Sequence, residues 1–272
     1  MSHGRPLTPP EHSVLLSIAY EGTSFHGWAP QPRQRTVAGE LQGALRTIDP
    51  RIGALRGSSR TDAGVHARDQ LVAFDPSYEY PLSAWLQGAQ KHLPDSISIR
   101  RGCYVELGFD PRGHKGSKTY RYLLLADERR DPFYDARVYR VPELAAPEAL
   151  ERARLELASV LGTHDFAAFR SSADARENTV RTMYSAELSV AADDPRLVRV
   201  DVRGSGFMHN MVRILVGTVV DVARGRLAPG AIVRGLASRD RRSLGITAPP
   251  EGLYLERTQL RGDEHFIWST ND

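Results

Sequence analysis

Ser59-Arg60-Thr61-Asp62-Ala63-Gly64-Val65-His66-Ala67 contains a single carboxylate, Asp62, two residues after an arginine and directly before an Ala-Gly pair. No lysine, cysteine or second carboxylate stands close enough in sequence to share its work. Paired-acid glycoside chemistry needs two carboxyl groups, one to protonate the leaving group and one to attack or to activate water. A lone aspartate has to act differently, and in a water-poor site it has to stay charged. Burial raises a carboxylate pKa and a neighbouring guanidinium lowers it; Arg60 is the candidate neighbour within the run. Ala63 and Gly64 leave room for another chain or ligand to approach closely. The plain alternative is an Asx-turn at Asp62 with Arg60 as its surface partner, because turns use aspartate heavily.

The elements that must hold this loop are legible in outline. Ser13 to Tyr20 is an apolar run ended by Glu21-Gly22, which predicts a buried strand and a turn. Gly27 to Pro32 reads as a loop. Thr36 caps a helix from about Val37 to Ile48, with Val37, Leu41, Ala44 and Leu45 on its apolar face. A strand enters the Asp62 loop and another, Gln70 to Phe74, leaves it. Leu82 to Leu93 reads as helical and Ile97 to Val105 as extended. Lys118 to Leu125 is a strand whose alternation puts Tyr120, Tyr122 and Leu124 on one face. Pro147 opens a helix closed by Gly162. Val180 to Val190 and Leu197 to Val202 pair as an antiparallel hairpin. A helix from about Phe207 to Ala223 ends at Gly225. No fixed-period repeat is present. Hairpins interleaved with helices predict an α+β fold with a mostly antiparallel sheet. The division expected is a disordered tail over 1–12, an N-terminal α/β half over 13–112 and a C-terminal half over 113–272.

Bulk properties narrow the class. Net charge is +3 over 272 residues and the pI is about 9.1, with the positive charge mostly arginine, which forks onto phosphate and stacks on bases. Cys103 is the only cysteine, so no internal disulfide or thiolate metal site can form. His66 and His209 are too isolated for a ligand set. No apolar run is long enough to span a bilayer, and the expectation is a cytoplasmic protein.

The Asp62 run resembles the hallmark Arg-Thr-Asp-Ala-Gly-Val-His of the TruA family of tRNA pseudouridine synthases. Further blocks follow in the family's order: Tyr20 to Trp28, Thr36 to Leu41, His92 to Ile97, Lys118-Thr119-Tyr120-Arg121-Tyr122, Asp165 to Arg170 with Val180-Arg181-Thr182, Phe207 to Arg213, and Gly252 to Leu255. Together they span about Ser13 to Leu260. The resemblance implies two similar α/β halves around a central RNA-binding cleft, Asp62 as the catalytic residue, and Tyr120 as the substrate-contacting tyrosine. A tyrosine ring stacks on an extruded base, worth about 1–3 kcal/mol per base. Arg60, Arg213, Arg170 and Leu253 are the other substrate-binding candidates; Arg176, Arg181, Arg203, Lys115 and Lys118 are candidate groove residues on charge alone. Ser59 and Asp69 stand where the family usually has glycine. Asp110-Pro111 and Ala173 also depart from its pattern.

Such a reaction needs only one carboxylate. Uracil leaves C1′ through N1, turns over and rejoins through C5, and water is kept out. Acylal, Michael-adduct and glycal routes all remain open. The target uridine is flipped out of its stem at a cost of a few kcal/mol. The family implies a tRNA substrate modified in the anticodon stem-loop (positions 38, 39 and 40), a homodimer, and no cofactor or metal. Three rival readings stand beside it: a pseudouridine synthase with another RNA target, a non-catalytic tRNA-binding protein on the same fold, and a hydrolase using His66 or His164 with a serine. The last lacks a Gly-X-Ser-X-Gly elbow.

Overall fold

The computed structural model describes residues 9–171, 174 and 176–270. Most of the expected N-terminal tail and Ala173 lie outside the described residues. Among the described residues no helix is long and apolar enough to cross a membrane.

In chain order the elements are β1 (His12–Tyr20), α1 (Val37–Arg46), β2 (Arg56–Gly57), β3 (His66–Phe74), β4 (Ile97–Glu106), β5 (Lys115–Leu125) and β6 (Tyr139–Arg140). They continue with α2 (Pro147–Ala158), β7 (Gly162–Asp165), β8 (Val180–Val190), β9 (Leu197–Gly204), α3 (Met211–Ala223), α4 (Ala231–Ser238), β10 (Leu253–Leu260) and β11 (Ser269–Thr270). Strands in antiparallel ladders alternate with helices, an α+β fold. The chain forms two compact units, Met1–Gly116 with Arg257–Asp272, and Ser117–Glu256. The closing segment from Arg257 thus packs with the first unit rather than with the residues just before it.

In the first unit β1 is central. It runs antiparallel to β3 (Val14↔Phe74, Leu16↔Val72) and to β4 (Leu15↔Cys103, Tyr20↔Ile97); β2 adds to β3 and β11 to β4. A strand flanked on both sides is buried along most of its length, from Ser13 to Ile18, and Val14, Leu15, Leu16 and Ile18 are fully so. Thr36 caps α1 as expected, its hydroxyl accepting from Gly39 N. The expected helix over 82–93 is a π-type turn over Ala84–Gly88 followed by a 3-10 turn over Ala89–His92. Here Trp85 is fully buried, edge-on to Phe74 and Tyr80.

In the second unit β5 pairs with β9 (Tyr120↔Val202, Leu125↔Leu197), β9 with β8 and β8 with β7, all antiparallel; β6 lies parallel to β5. Helix α2 ends at Ala158, short of Gly162, which instead starts β7 at φ +101°. Arg152 Nη2 of α2 donates to Ala223 O at the end of α3 (2.7 Å). Glu156, buried in α2, accepts from Gly230 N and Ile232 N, both at 2.7 Å, and so caps the start of α4. Helix α3 begins at Met211, four residues later than expected. Asn210 adopts the left-handed conformation, φ 63°, which interrupts the helical path at the one residue type besides glycine that readily takes it.

Candidate functional site

Within the first unit the Asp62 loop joins β2 to β3 and is clamped from below by the end of β1 and the turn that follows. Tyr20 Oη and Thr61 Oγ1 share a hydrogen bond of 2.7 Å. Trp28 N donates to Thr61 O (3.0 Å) and Val65 N to Asp62 O (3.2 Å). Gly22 N donates to Nδ1 of the buried His66 (3.0 Å), which fixes that ring nitrogen as the acceptor. Gln70, fully buried, holds the other arm of the loop: its Nε2 donates to Ser59 O (2.6 Å) and its Oε1 accepts from Ser58 Oγ (3.0 Å).

Two glycines allow this closeness. A Cβ on Gly22 would lie 2.0 Å from Val65 O, and one on Gly27, at φ +87°, would lie 2.7 Å from Thr61 O. The Tyr20 to Trp28 block and the Asp62 block are therefore one object in space. Asp62 is half-buried and Arg60 exposed. Tyr20, Trp28 and Gln70 were not singled out from sequence. The signal for the first two was the Tyr-Glu-Gly-Thr…Gly-Trp block itself.

The departures from the family pattern are absorbed locally. Asp69 turns into the first unit, where Oδ1 accepts from Ser17 Oγ (2.6 Å) and lies 3.5 Å from Arg101 Nη2, while Oδ2 accepts from Thr258 N (3.0 Å). Asp110 caps its own turn through Arg112 N (2.9 Å). Ser59 is only 6% exposed, and its hydroxyl has no hydrogen-bond partner among the described residues.

The second unit carries Tyr120, Arg170, Arg213 and Leu253. Tyr120 and Tyr122 share the buried face of β5 and differ in their contacts. Tyr122 is fully buried, donates to Pro249 O (2.6 Å) and lies so close to Gly252 that a Cβ there would be 2.4 Å from its ring. Burial pushes its phenol well above the ordinary value. Tyr120 lies edge-on to Phe207, ring centroids 5.0 Å apart.

Phe207 belongs to a loop fixed by charge. Arg176 Nη1 donates to Phe207 O (3.2 Å), Asp174 accepts from His209 N (2.9 Å), and Ser171 N donates to His209 O (3.1 Å). Hydrogen bonds from Arg176 hold the Asp174 carboxyl well below the usual carboxylate range. Arg170 Nη1 donates to Arg176 O (2.6 Å). Arg181 is lowered from its ordinary pKa by burial and by the charge of Arg176.

Arg213 is the one residue of α3 that is not buried; its Nε donates to Ala248 O (2.8 Å) and its Nη1 to Asn210 Oδ1 (2.9 Å). Asn210 thus both starts the helix and orients the guanidinium. Leu253 is buried at the start of β10. Tyr120, Arg170 and Arg213 are gathered around the 205–210 segment of this unit. Arg203 lies apart, 5.4 Å over the exposed Tyr184 ring, and Lys115 is exposed in the first unit.

The first unit holds Asp62 in a hydrogen-bonded loop, and the second carries Tyr120 on β5 and Arg213 on α3. Comparison with known proteins gives the family. The family profile described as tRNA pseudouridine synthase matches residues 157–259. The tRNA pseudouridine synthase A of Citrifermentans bemidjiense is 41% identical over 244 residues, 89% of this chain and 95% of that protein. Those of Geobacter sp. strain M21 and Geotalea uraniireducens are each 40% identical over 89% of this chain. Among solved structures, the crystal structure of a Cbf5-Nop10-Gar1 complex is matched at 12% identity and a TM-score of 0.36, with this chain spanning half of that one. The chain belongs to the tRNA pseudouridine synthase A family. It is an isomerase that converts uridine to pseudouridine in tRNA.

Proposed function

We propose that Asp62 performs the isomerisation without a cofactor, on uridines at the three adjacent anticodon-arm positions given above. The N1–C1′ bond breaks, the C5–C1′ bond forms, the C5 proton is lost and N1 gains one, so the base changes attachment and not composition. Tyr120 stacks on the extruded uracil, Leu253 supplies an apolar wall, and Arg60, Arg170 and Arg213 contact phosphate or the catalytic carboxylate. The enzyme acts as a homodimer in the cytoplasm. Support for the central assignment is the cradle of Asp62, in which Tyr20, Trp28 and Gln70 hold the residues on either side of it. Preorganising a charged group before substrate arrives is how an enzyme avoids reorganisation at the reacting step.

The test is Asp62→Asn, assayed for pseudouridine in an unmodified tRNA transcript and, separately, for tRNA binding. The expected outcome is no detectable product with binding within a few-fold of wild type. Undiminished turnover by the variant overturns the assignment. Mapping pseudouridines in tRNA from cells that lack the protein fixes the positions.

A further inference from the structure

Several partly buried arginines in this chain have acids beside them. Arg56 is bidentate on Asp75, Arg121 bonds Asp201 and Glu256, and Arg224 bonds Glu143. Arg241 differs from these. It is half-buried, and its partners among the described residues are neutral and distant: Thr247 Oγ1 at 3.3 Å from Nη2 and Leu244 O at 3.5 Å from Nη1. Burial alone draws its pKa below the ordinary value. A guanidinium withdrawn from water with no counter-charge is unfavourable unless an anion arrives.

Its surroundings are rigid and its neighbours already neutralised. Residues 241–248 form a strap laid against α3, where a Cβ on Gly217 would lie 1.9 Å from Ile246 O. The strap is pinned by Gly245 N to Thr218 Oγ1 (3.0 Å), Ile246 N to Asp221 Oδ2 (3.1 Å) and Ala248 N to Arg213 O (3.0 Å). Arg239 is paired with Asp165 and Arg242 with Asp240. Asp221, the acid under the strap, is also 3.6 Å from Arg226. Arg241 therefore contributes an uncompensated charge. It addresses Thr247 while Arg213 addresses Ala248, so two guanidinium groups of like charge reach consecutive residues of one fixed strap.

We infer that Arg241 and the Thr247 hydroxyl form a binding subsite for a backbone phosphodiester of the tRNA substrate. A guanidinium fork and a hydroxyl are the donors that a phosphate oxygen pair takes, and Thr247, whose Oγ1 accepts from Arg241, can donate its own hydroxyl hydrogen to the anion. The inference rests on tRNA as the substrate, and the test keeps the two apart.

The experiment measures binding of already modified tRNA over a salt series, and KM and kcat on an unmodified transcript, for wild type, Arg241→Gln, Arg241→Lys and Arg242→Gln. Arg241→Gln is expected to raise KM about tenfold with kcat within twofold, and to reduce the slope of log K against log salt by about 1. Arg241→Lys keeps the charge and is expected to keep the slope while losing part of the affinity. Arg242→Gln, on an exposed, acid-paired residue, is expected to behave as wild type. An unchanged slope and KM in Arg241→Gln overturns the subsite. So does a lower melting temperature and kcat with the slope unchanged, which marks Arg241 as a clamp on the strap. Absence of pseudouridine with wild-type enzyme would instead remove the functional reading itself.

Discussion

Gly22→Ala tests whether the cradle of Asp62 matters to the chemistry. The substitution adds one methyl group, at a position where it would lie 2.0 Å from Val65 O, 2.6 Å from Val65 C and 3.2 Å from Val65 N. Real Cβ atoms essentially never approach closer than 3.0 Å, so the Val65 carbonyl or the turn carrying Gly22 must retreat by about 1 Å. Val65 is bonded through its N–H to Asp62 O, and its displacement is passed to the aspartate. A shift of about 1 Å in a catalytic group costs on the order of 10²-fold in rate. The accompanying strain and the weakened Gly22–His66 hydrogen bond cost about 1–3 kcal/mol of stability. The assay is single-turnover pseudouridine formation at saturating enzyme, beside a denaturant titration and tRNA binding. Turnover should fall by about two orders of magnitude while binding changes little. Gly43→Ala is the control: it sits exposed within α1 with nothing within 4 Å of the added carbon, and should stabilise by roughly 0.5–1 kcal/mol with activity unaltered. Turnover within threefold of wild type and an unchanged unfolding midpoint for Gly22→Ala would refute the idea that the cradle sets the position of Asp62.

Two further outcomes concern the first unit. Hydrogen bonds from Arg56 hold the Asp75 carboxyl below its usual value of 3.8, with Ser13 and Gly108 N assisting. A depressed folded-state pKa contributes stability above the unfolded value and loses it as pH falls through the folded one. The stability difference between wild type and Asp75→Asn should thus be constant from neutral pH to about pH 5 and shrink below about pH 4; it is modest because the pair is partly exposed. A difference unchanged at pH 2.5 would contradict this. Burial pushes the Cys103 thiol up to about 12, so a thiol reagent at pH 8 should label the folded protein no faster than it opens. Rapid stoichiometric labelling of native protein would show that β4 is not held as described.

What the sequence made legible follows the strength of local signals. Strands β1, β3, β4, β5, β8 and β9 were all anticipated because alternation and apolar runs mark them, and Thr36 announced α1. That Tyr120, Tyr122 and Leu124 share one face of β5 followed from period two; that this face is the buried one is seen only in the fold. Helix starts and stops governed by one backbone conformation were not legible. Asn210 in the left-handed region delays α3, and Gly162 at positive φ serves a strand rather than a helix end. Helix α4 was missed because what fixes its start is the buried carboxylate of Glu156, more than seventy residues earlier. In the site, the motif placed Asp62, but its supports Tyr20 and Gln70 act across strands, and their contacts have no local spacing. In the sequence Asp69 was only a departure from the family's usual glycine. Its partners Ser17, Arg101 and Thr258 come from three distant segments, which only the fold unites.

The path of the chain sets an order of events during synthesis. Residues 117–256 form their unit from one uninterrupted stretch, which can complete its ladders as soon as it leaves the ribosome. The unit bearing Asp62 is completed only after residues 117–256 have been made, since Thr258 supplies a donor to Asp69. Until then a buried acid awaits one of its donors. The Asp62 loop therefore stands on an incomplete platform until the 257–270 segment has been made.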